Sequence, residues 1–194
     1  MGRQKLLLPM DGVSVVARTA WILAQVFSPL VLVIGSDGPR VKAEASGIPG
    51  LHVVQNPDWE EGMTGSLQRG LAGLRKQLET QPGGFFIHHG DMPFLSPALL
   101  KEISRAAAKD EDSPLFPRLR GSEPSLLGHP VYAPFRLEAK IHALKSGERI
   151  RDLLLKESYR IYETSDPAIL EDLDTPEAYA ALCRKYGLSG DFLP

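Results

Sequence analysis

The sequence has a single cysteine, Cys183. One thiol excludes an intrachain disulfide and a cysteine-rich zinc site. The count suits a reducing compartment, so a cytoplasmic location is expected. Cys183 falls in an apolar helical stretch, where packing outweighs reactivity. Long apolar runs are also missing. The longest, Pro29 to Ile34, has strand length and falls well short of the roughly 18–20 residues of a membrane span. Leu6-Leu7-Leu8 before Pro9 is too short for the apolar part of a signal peptide. Neither charge dominates: 22 Lys and Arg face 24 Asp and Glu, a net charge of −2. This excludes a protein that holds nucleic acid by charge alone, while leaving room for a small anionic ligand. Neither nucleic acid nor a membrane is an expected partner. No complete G-x-G-x-x-G, Walker or G-x-S-x-G motif occurs, which argues against dehydrogenase, P-loop kinase and α/β-hydrolase readings. Internal repeats and low-complexity tracts are absent.

What remains is an ordinary globular composition over 194 residues, 43% hydrophobic and 24% charged. This is the size of one domain. Apolar residues at helical spacing predict helices over 13–27 and 64–78, the latter with Leu67, Leu71, Leu74 and Leu78 on one face and Thr64 or Ser66 as cap. Pro29 to Ile34 and Gly84 to His89 read as strands buried on both faces, and Leu51 to Gln55 as a shorter strand. A short helix is expected over 40–46. Ser96-Pro97 and Thr175-Pro176 are helix starts, with the hydroxyl at the cap and the proline in the first turn. Alternating strands and helices imply an α/β fold on a mostly parallel sheet. After Asp110 the pattern loosens, with weak strands at 115–119, 130–132 and 160–163 and helices at 135–144 and 148–156.

In such sheets ligands gather at the carboxyl ends of the strands. Gly90-Asp91-Met92-Pro93 follows a buried strand there. Asp91 is placed either to hold Mg²⁺, which favours one or two carboxylates plus substrate phosphates, or to close an Asx turn. Asp172 and Asp174 point the same way in an extended segment. Either carboxylate is a second metal ligand, or the pair merely precedes the helix at Pro176. Lys5, with Arg3 beside it, offers a compact charge for a triphosphate, against a reading as solvated cations. His129, in Gly128-His129-Pro130, either orients a polar ligand or packs. His88 and His89, adjacent in a strand, face opposite sides and cannot chelate together.

Taken in order, these segments resemble the MobA-like nucleotidyltransferases, above all the molybdenum cofactor cytidylyltransferases. Met1-Gly2-Arg3-Gln4-Lys5-Leu6-Leu7-Leu8-Pro9 is similar to the stretch after that family's glycine-rich loop. Asn56-Pro57-Asp58-Trp59-Glu60-Glu61-Gly62-Met63-Thr64-Gly65-Ser66-Leu67 resembles its N-P-x-W-x-x-G-M-x-x-S-L segment. Gly90-Asp91-Met92-Pro93 resembles its G-D-x-P metal motif, Gly128-His129-Pro130-Val131 its G-H-P-V, and Asp172 to Glu177 its D-x-D-T-P-E. Each motif is weak alone; the order and spacing hold from residue 1 to about 185.

The resemblance implies a Rossmann-like, GT-A-like nucleotide-diphospho-sugar transferase fold: a three-layer sandwich, with residues 1–109 as the nucleotide-binding half and 110–194 as the acceptor-binding half of one domain, 1–194. It implies transfer of a nucleotide from CTP, with GTP as the rival, to a molybdopterin-type cofactor, with release of pyrophosphate. Lys5 and Asp91 would be the catalytic residues. Arg3, Lys5, Asn56, Gly62, Met63, Ser66 and Asp91 would line the nucleotide site. Asp91 and Asp174 would hold Mg²⁺. Gly128, His129 and Pro130 would face the acceptor. A molybdoenzyme or its chaperone is the further partner expected.

Two departures stand out. The family opens on a hydrophobic strand and an L-A-A-G-x-S-x-R-M-G loop, whereas this sequence starts at the M-G. That loop's backbone N–H groups would cradle phosphates. The strand would lie centrally, so without it the neighbouring strands have unpaired edges or close together. A shortened start is the leading expectation. The others are a strand supplied by a partner chain and a protein that no longer catalyses, which would be an accessory or cofactor-binding protein of molybdoenzyme maturation. Second, Ser146-Gly147-Glu148-Arg149 replaces a G-D-x-G-A-R segment, which weakens the transfer of acceptor roles there.

Overall fold

A computed structural model describes residues 4–190 of the chain. Arg3, expected at the nucleotide, lies outside the described residues.

A 3-10 turn at Lys5–Leu7 leads into two short antiparallel strands, β1 (Pro9–Met10) and β2 (Val13–Ser14). Helix α1 (Val15–Ala24) follows, then β3 (Leu30–Ile34), α2 (Gly38–Glu44), β4 (Leu51–Gln55), α3 (Met63–Arg75), β5 (Gly84–Ile87) and α4 (Pro97–Ala107). The second half runs β6 (Leu115–Leu119), β7 (Val131–Pro134), α5 (Glu138–His142), α6 (Ile150–Lys156), β8 (Arg160–Thr164) and α7 (Pro176–Lys185).

Local chemistry explains the boundaries. Ser96 Oγ accepts from the Leu99 N–H at 3.2 Å, and Thr175 Oγ1 accepts from the Ala178 N–H at 3.1 Å, so both expected caps form. At α3 neither expected cap forms. The N-cap is Gly62, held at φ 111°, while the Thr64 hydroxyl donates to the Glu148 carbonyl and the Ser66 hydroxyl is taken by Asn56. Both side chains find partners across the fold instead of on their own helix.

The α/β class and three-layer build are as expected. On β6, Leu115 packs in one core cluster and Phe116 in another; on β7, Tyr132 joins the first while Val131 and Ala133 join the second. This alternation puts a core on each face of one sheet. α1, α4 and α7 cover one face through Val15, Leu100, Ile103 and Tyr179. α3, α5 and α6 cover the other through Leu71, Ile141 and Leu154.

The sheet is mixed where a mostly parallel one was expected. β3 and β4 are parallel, as are β6 and β8, but β7 lies antiparallel between β5 and β6. The chain passes from β6 to β7 without a helix, and such a return permits only antiparallel pairing.

The sheet is also split. β3 and β4 form a two-stranded piece, and β5-β7-β6-β8 a four-stranded one. Among the described residues no strand lies against the inner edge of β3 or the free edge of β5. This explains a second difference: Leu30, Val31, Leu32 and Val33, an all-apolar run, are only half-buried. Cys183 is buried, as expected, and burial pushes its thiol pKa up.

Candidate active site

Five loops converge at one end of the strands. Gln4 Nε2 donates to Ser36 Oγ at 3.2 Å, tying the first described residue to the turn after β3. Trp59 lies so close over Gly35 that a Cβ there would sit 2.6 Å from its own Cβ. Only glycine permits this approach, which joins the loop after β4 to that turn. Next along the chain, Lys5 reaches the turn after β5 and the segment before α7.

Lys5 is the centre of the arrangement. Its ammonium pairs with Asp91 Oδ2 and donates to Asp174 Oδ1 at 2.6 Å. Burial acts against the ammonium, but hydrogen bonds and charge from Asp174 and Asp91 outweigh it and raise the Lys5 pKa. Asp91 is buried, at 7% exposure, and its Oδ1 has no partner. Asp174 is open to solvent. Beside them, burial and the neighbouring Asp174 and Asp91 charges push the Asp172 carboxyl up, against the pull of Lys5.

Among the described residues no group of three or more His, Cys, Asp or Glu is arranged to hold a metal. Asp91 and Asp174, joined through one lysine, fit a different demand: a hard cation that takes a carboxylate or two and fills its shell from phosphates and water. The orphaned, buried Asp91 Oδ1 supplies a carboxylate oxygen with no other use.

Of the residues expected at the nucleotide, Asn56 is wholly buried. Its Nδ2 donates to Ser66 Oγ at 2.9 Å and its Oδ1 accepts from the Asp58 N–H at 3.1 Å. It braces the loop after β4 against α3, and both ends of its amide are committed to that task. Gly62 and Met63 are exposed, Met63 at 64%. Ser66, Gly62 and Met63 thus share the start of α3, while Lys5, Asp91 and Asp174 form the charged group.

Gly128 and His129 sit beside the strand end that carries Asp91. A Cβ on Gly128 would lie 2.5 Å from the Ile169 carbonyl oxygen, so glycine is required. The His129 N–H donates to that carbonyl at 2.9 Å, and its Nδ1 lies 3.3 Å from the Ile87 carbonyl at the end of β5. Pro130 is buried just before β7. The ring centroids of His89 and His129 are 4.2 Å apart, and those of His88 and His129 6.3 Å. β5 ends at Ile87, so strand alternation does not govern His88 and His89, and both approach His129. Burial above all, then the neighbouring histidines, pushes His129 down to about 3. Burial likewise pushes His88 down to about 4.

The structure is thus a layered α/β fold with a lysine held between two aspartates where the loops converge. The model of the MobA-like NTP transferase domain matches residues 1–161, and the chain belongs to that family. No curated protein matches the sequence. Among solved structures, Rv0371c from Mycobacterium tuberculosis H37Rv superposes with a TM-score of 0.77 at 22% identity, over 95% of this chain and 91% of that one. The same protein was also solved as a complex with manganese. A nucleotidyl transferase from Methanothermobacter thermautotroptrophicus, Mth528, gives a TM-score of 0.74 at 25% identity, covering 94% and 84%. Molybdopterin-guanine dinucleotide biosynthesis protein A from Archaeoglobus fulgidus gives 0.65 at 15% identity, covering 96% and 92%.

Proposed function

We propose that this chain transfers a nucleotide, from CTP before GTP, to a molybdopterin-type cofactor and releases pyrophosphate. The observation that carries the reading is the Lys5 ammonium shared between Asp91 and Asp174 where the loops converge. In this reaction an acceptor phosphate oxygen attacks the α-phosphorus of the nucleoside triphosphate. The bond from that phosphorus to the bridging oxygen breaks, and the electron pair leaves on pyrophosphate. Such a transfer needs positioning and charge neutralisation more than an acid–base pair.

Lys5 meets the second need: a compact ammonium stabilises charge growing on the phosphates. Asp91 and Asp174 are the residues that would hold Mg²⁺, and that ion would neutralise the triphosphate when bound. The manganese complex of Rv0371c favours a divalent ion at a fold of this kind. Asn56 positions the loop that presents Gly62, Met63 and Ser66 to the nucleotide. Gly128, His129 and Pro130 form the acceptor side, within the half 110–194. The setting is the cytoplasm, with a molybdoenzyme or its chaperone receiving the product. Among the described residues no helix is long and apolar enough to cross a membrane.

The test is pyrophosphate release with CTP or GTP, Mg²⁺ and molybdopterin. Release with CTP ahead of GTP is expected; release with neither, despite nucleotide binding, overturns transfer. The unpaired edges of β3 and β5 favour a second reading, an accessory that binds cofactor without transfer. That protein would bind molybdopterin and release no pyrophosphate.

A further inference from the structure

The outer edge of β4 borders a groove of about 860 Å³ between α2 and α3. β4 pairs with β3 on one side only; on its outward side the Leu51 N–H is taken by the Ile48 carbonyl at 3.2 Å, while the N–H and C=O groups of Val53 and Gln55 have no partner strand among the described residues. Exposed edge strands are commonly protected by a lysine, a proline or a bulge. β4 reads Leu51-His52-Val53-Val54-Gln55 and has none of these.

The groove walls are the second observation. α2 packs on the sheet face that carries Leu32 and Val53, through Val41. α3 packs on the opposite face, where Gly73 lies against Val54 and Gly70 against Val33. The two helices therefore flank the free edge from either side. Lys42 on α2, Arg69 on α3, Lys76 just after α3, and His52 on β4 itself line the groove. No Asp or Glu lines it, in a chain whose net charge is −2. Arg69 is paired with Asp58, while Lys42 and Lys76 are exposed and have no ion-pair partner among the described residues.

We propose that this edge is a docking site for an extended, acidic segment of a partner protein, which adds a strand to β4. Main-chain bonds to β4 would supply the hold. Alternate side chains of the added strand would face Lys42 on one side and Lys76, Arg69 and His52 on the other, so acidic residues are favoured on both. A second copy of this chain is a poorer occupant, because two-fold pairing would set the same cations against each other. Single-stranded nucleic acid is poorer too, since no Phe, Tyr or Trp lines the groove for base stacking. The groove adjoins the site: β4 leads directly into Asn56, and α3 carries Ser66. The inference does not depend on which nucleotide or acceptor the site takes.

The test uses the whole chain and a fluorescein-labelled nine-residue peptide of three Glu-Glu-Val repeats, whose glutamates fall on both faces of an added strand, followed by anisotropy. The acidic peptide is expected to bind, and its lysine-for-glutamate counterpart to bind at least tenfold more weakly. The surface double variant Lys42→Glu/Lys76→Glu should lose at least tenfold in peptide affinity while its nucleotide binding is unchanged. A peptide N-methylated at alternate amides should fail to bind, and bound peptide should slow hydrogen exchange at residues 51–55. The proposal is overturned by no binding, by equal binding of the lysine or N-methylated peptide, or by indifference to the charge reversal. Self-association through this edge, or a thymidine decamer binding as tightly as the acidic peptide, would overturn it as well.

Discussion

The Lys5 ammonium lies against the buried carboxylate of Asp91 and, from the same position, reaches Asp174. Asp91 is therefore never an isolated buried charge. Replacing Lys5 by alanine strands it. Unfolding assays on Lys5→Ala should show a loss of about 1–3 kcal/mol, below the value for a fully buried pair because Lys5 is partly exposed. Turnover should fall roughly 10²- to 10³-fold, as when a preorganised charge is removed from a transition state. Lys5→Arg keeps the charge on a broader head, so it should restore stability more than turnover. Unchanged turnover in Lys5→Ala would remove Lys5 from the chemistry.

Asn56 gives a different signature. Its amide satisfies two partners out of reach of solvent, so Asn56→Ala leaves the Asp58 N–H and Ser66 hydroxyl without their partner. A loss of about 1–3 kcal/mol in urea unfolding is expected. Nucleotide affinity should drop with it, because the loop that loosens carries Gly62 and Met63. Full affinity in a folded Asn56→Ala protein would separate that loop from the site.

The histidines set an acid limit. His88 and His129 are neutral in the fold, with pKa values pushed down to about 4 and about 3. In the unfolded chain both protonate near 6.5. The unfolded state thus binds more protons below that value, so stability is fully present above about pH 6.5 and falls with acidity. Each histidine contributes a slope of about 1.4 kcal/mol per pH unit until its folded value is reached. A pH series of melts should show this decline, and His129→Asn should flatten it. An equally steep decline in the variant would assign the acid limit to other groups.

Local signals were legible wherever one residue pattern decides the outcome. Leu51 to Gln55 is the strand it reads as, and Ser96 and Thr175 cap their helices because hydroxyl and proline act within a single turn. The charged group was legible through order and spacing: Lys5, Asp91 and Asp174 are far apart in the chain, and the structure brings them together. Long-range pairing was not legible. Nothing local in Val131 to Pro134 says that this strand runs antiparallel between β5 and β6. The half-burial of Leu30 to Val33 depends on which strands lie beside β3, which its own apolar run does not encode. Asn56 reads as a ligand contact from its motif; only its bonds to Ser66 and Asp58 reveal a brace.

The most direct measurement is titration calorimetry of CTP with Mg²⁺ against the wild-type chain and Asp91→Ala, with GTP run in parallel. The account predicts metal-dependent binding to the wild type and a loss of at least tenfold in the variant, checked for folding by circular dichroism. Equal affinity in a folded Asp91→Ala protein, or affinity indifferent to Mg²⁺, would contradict it.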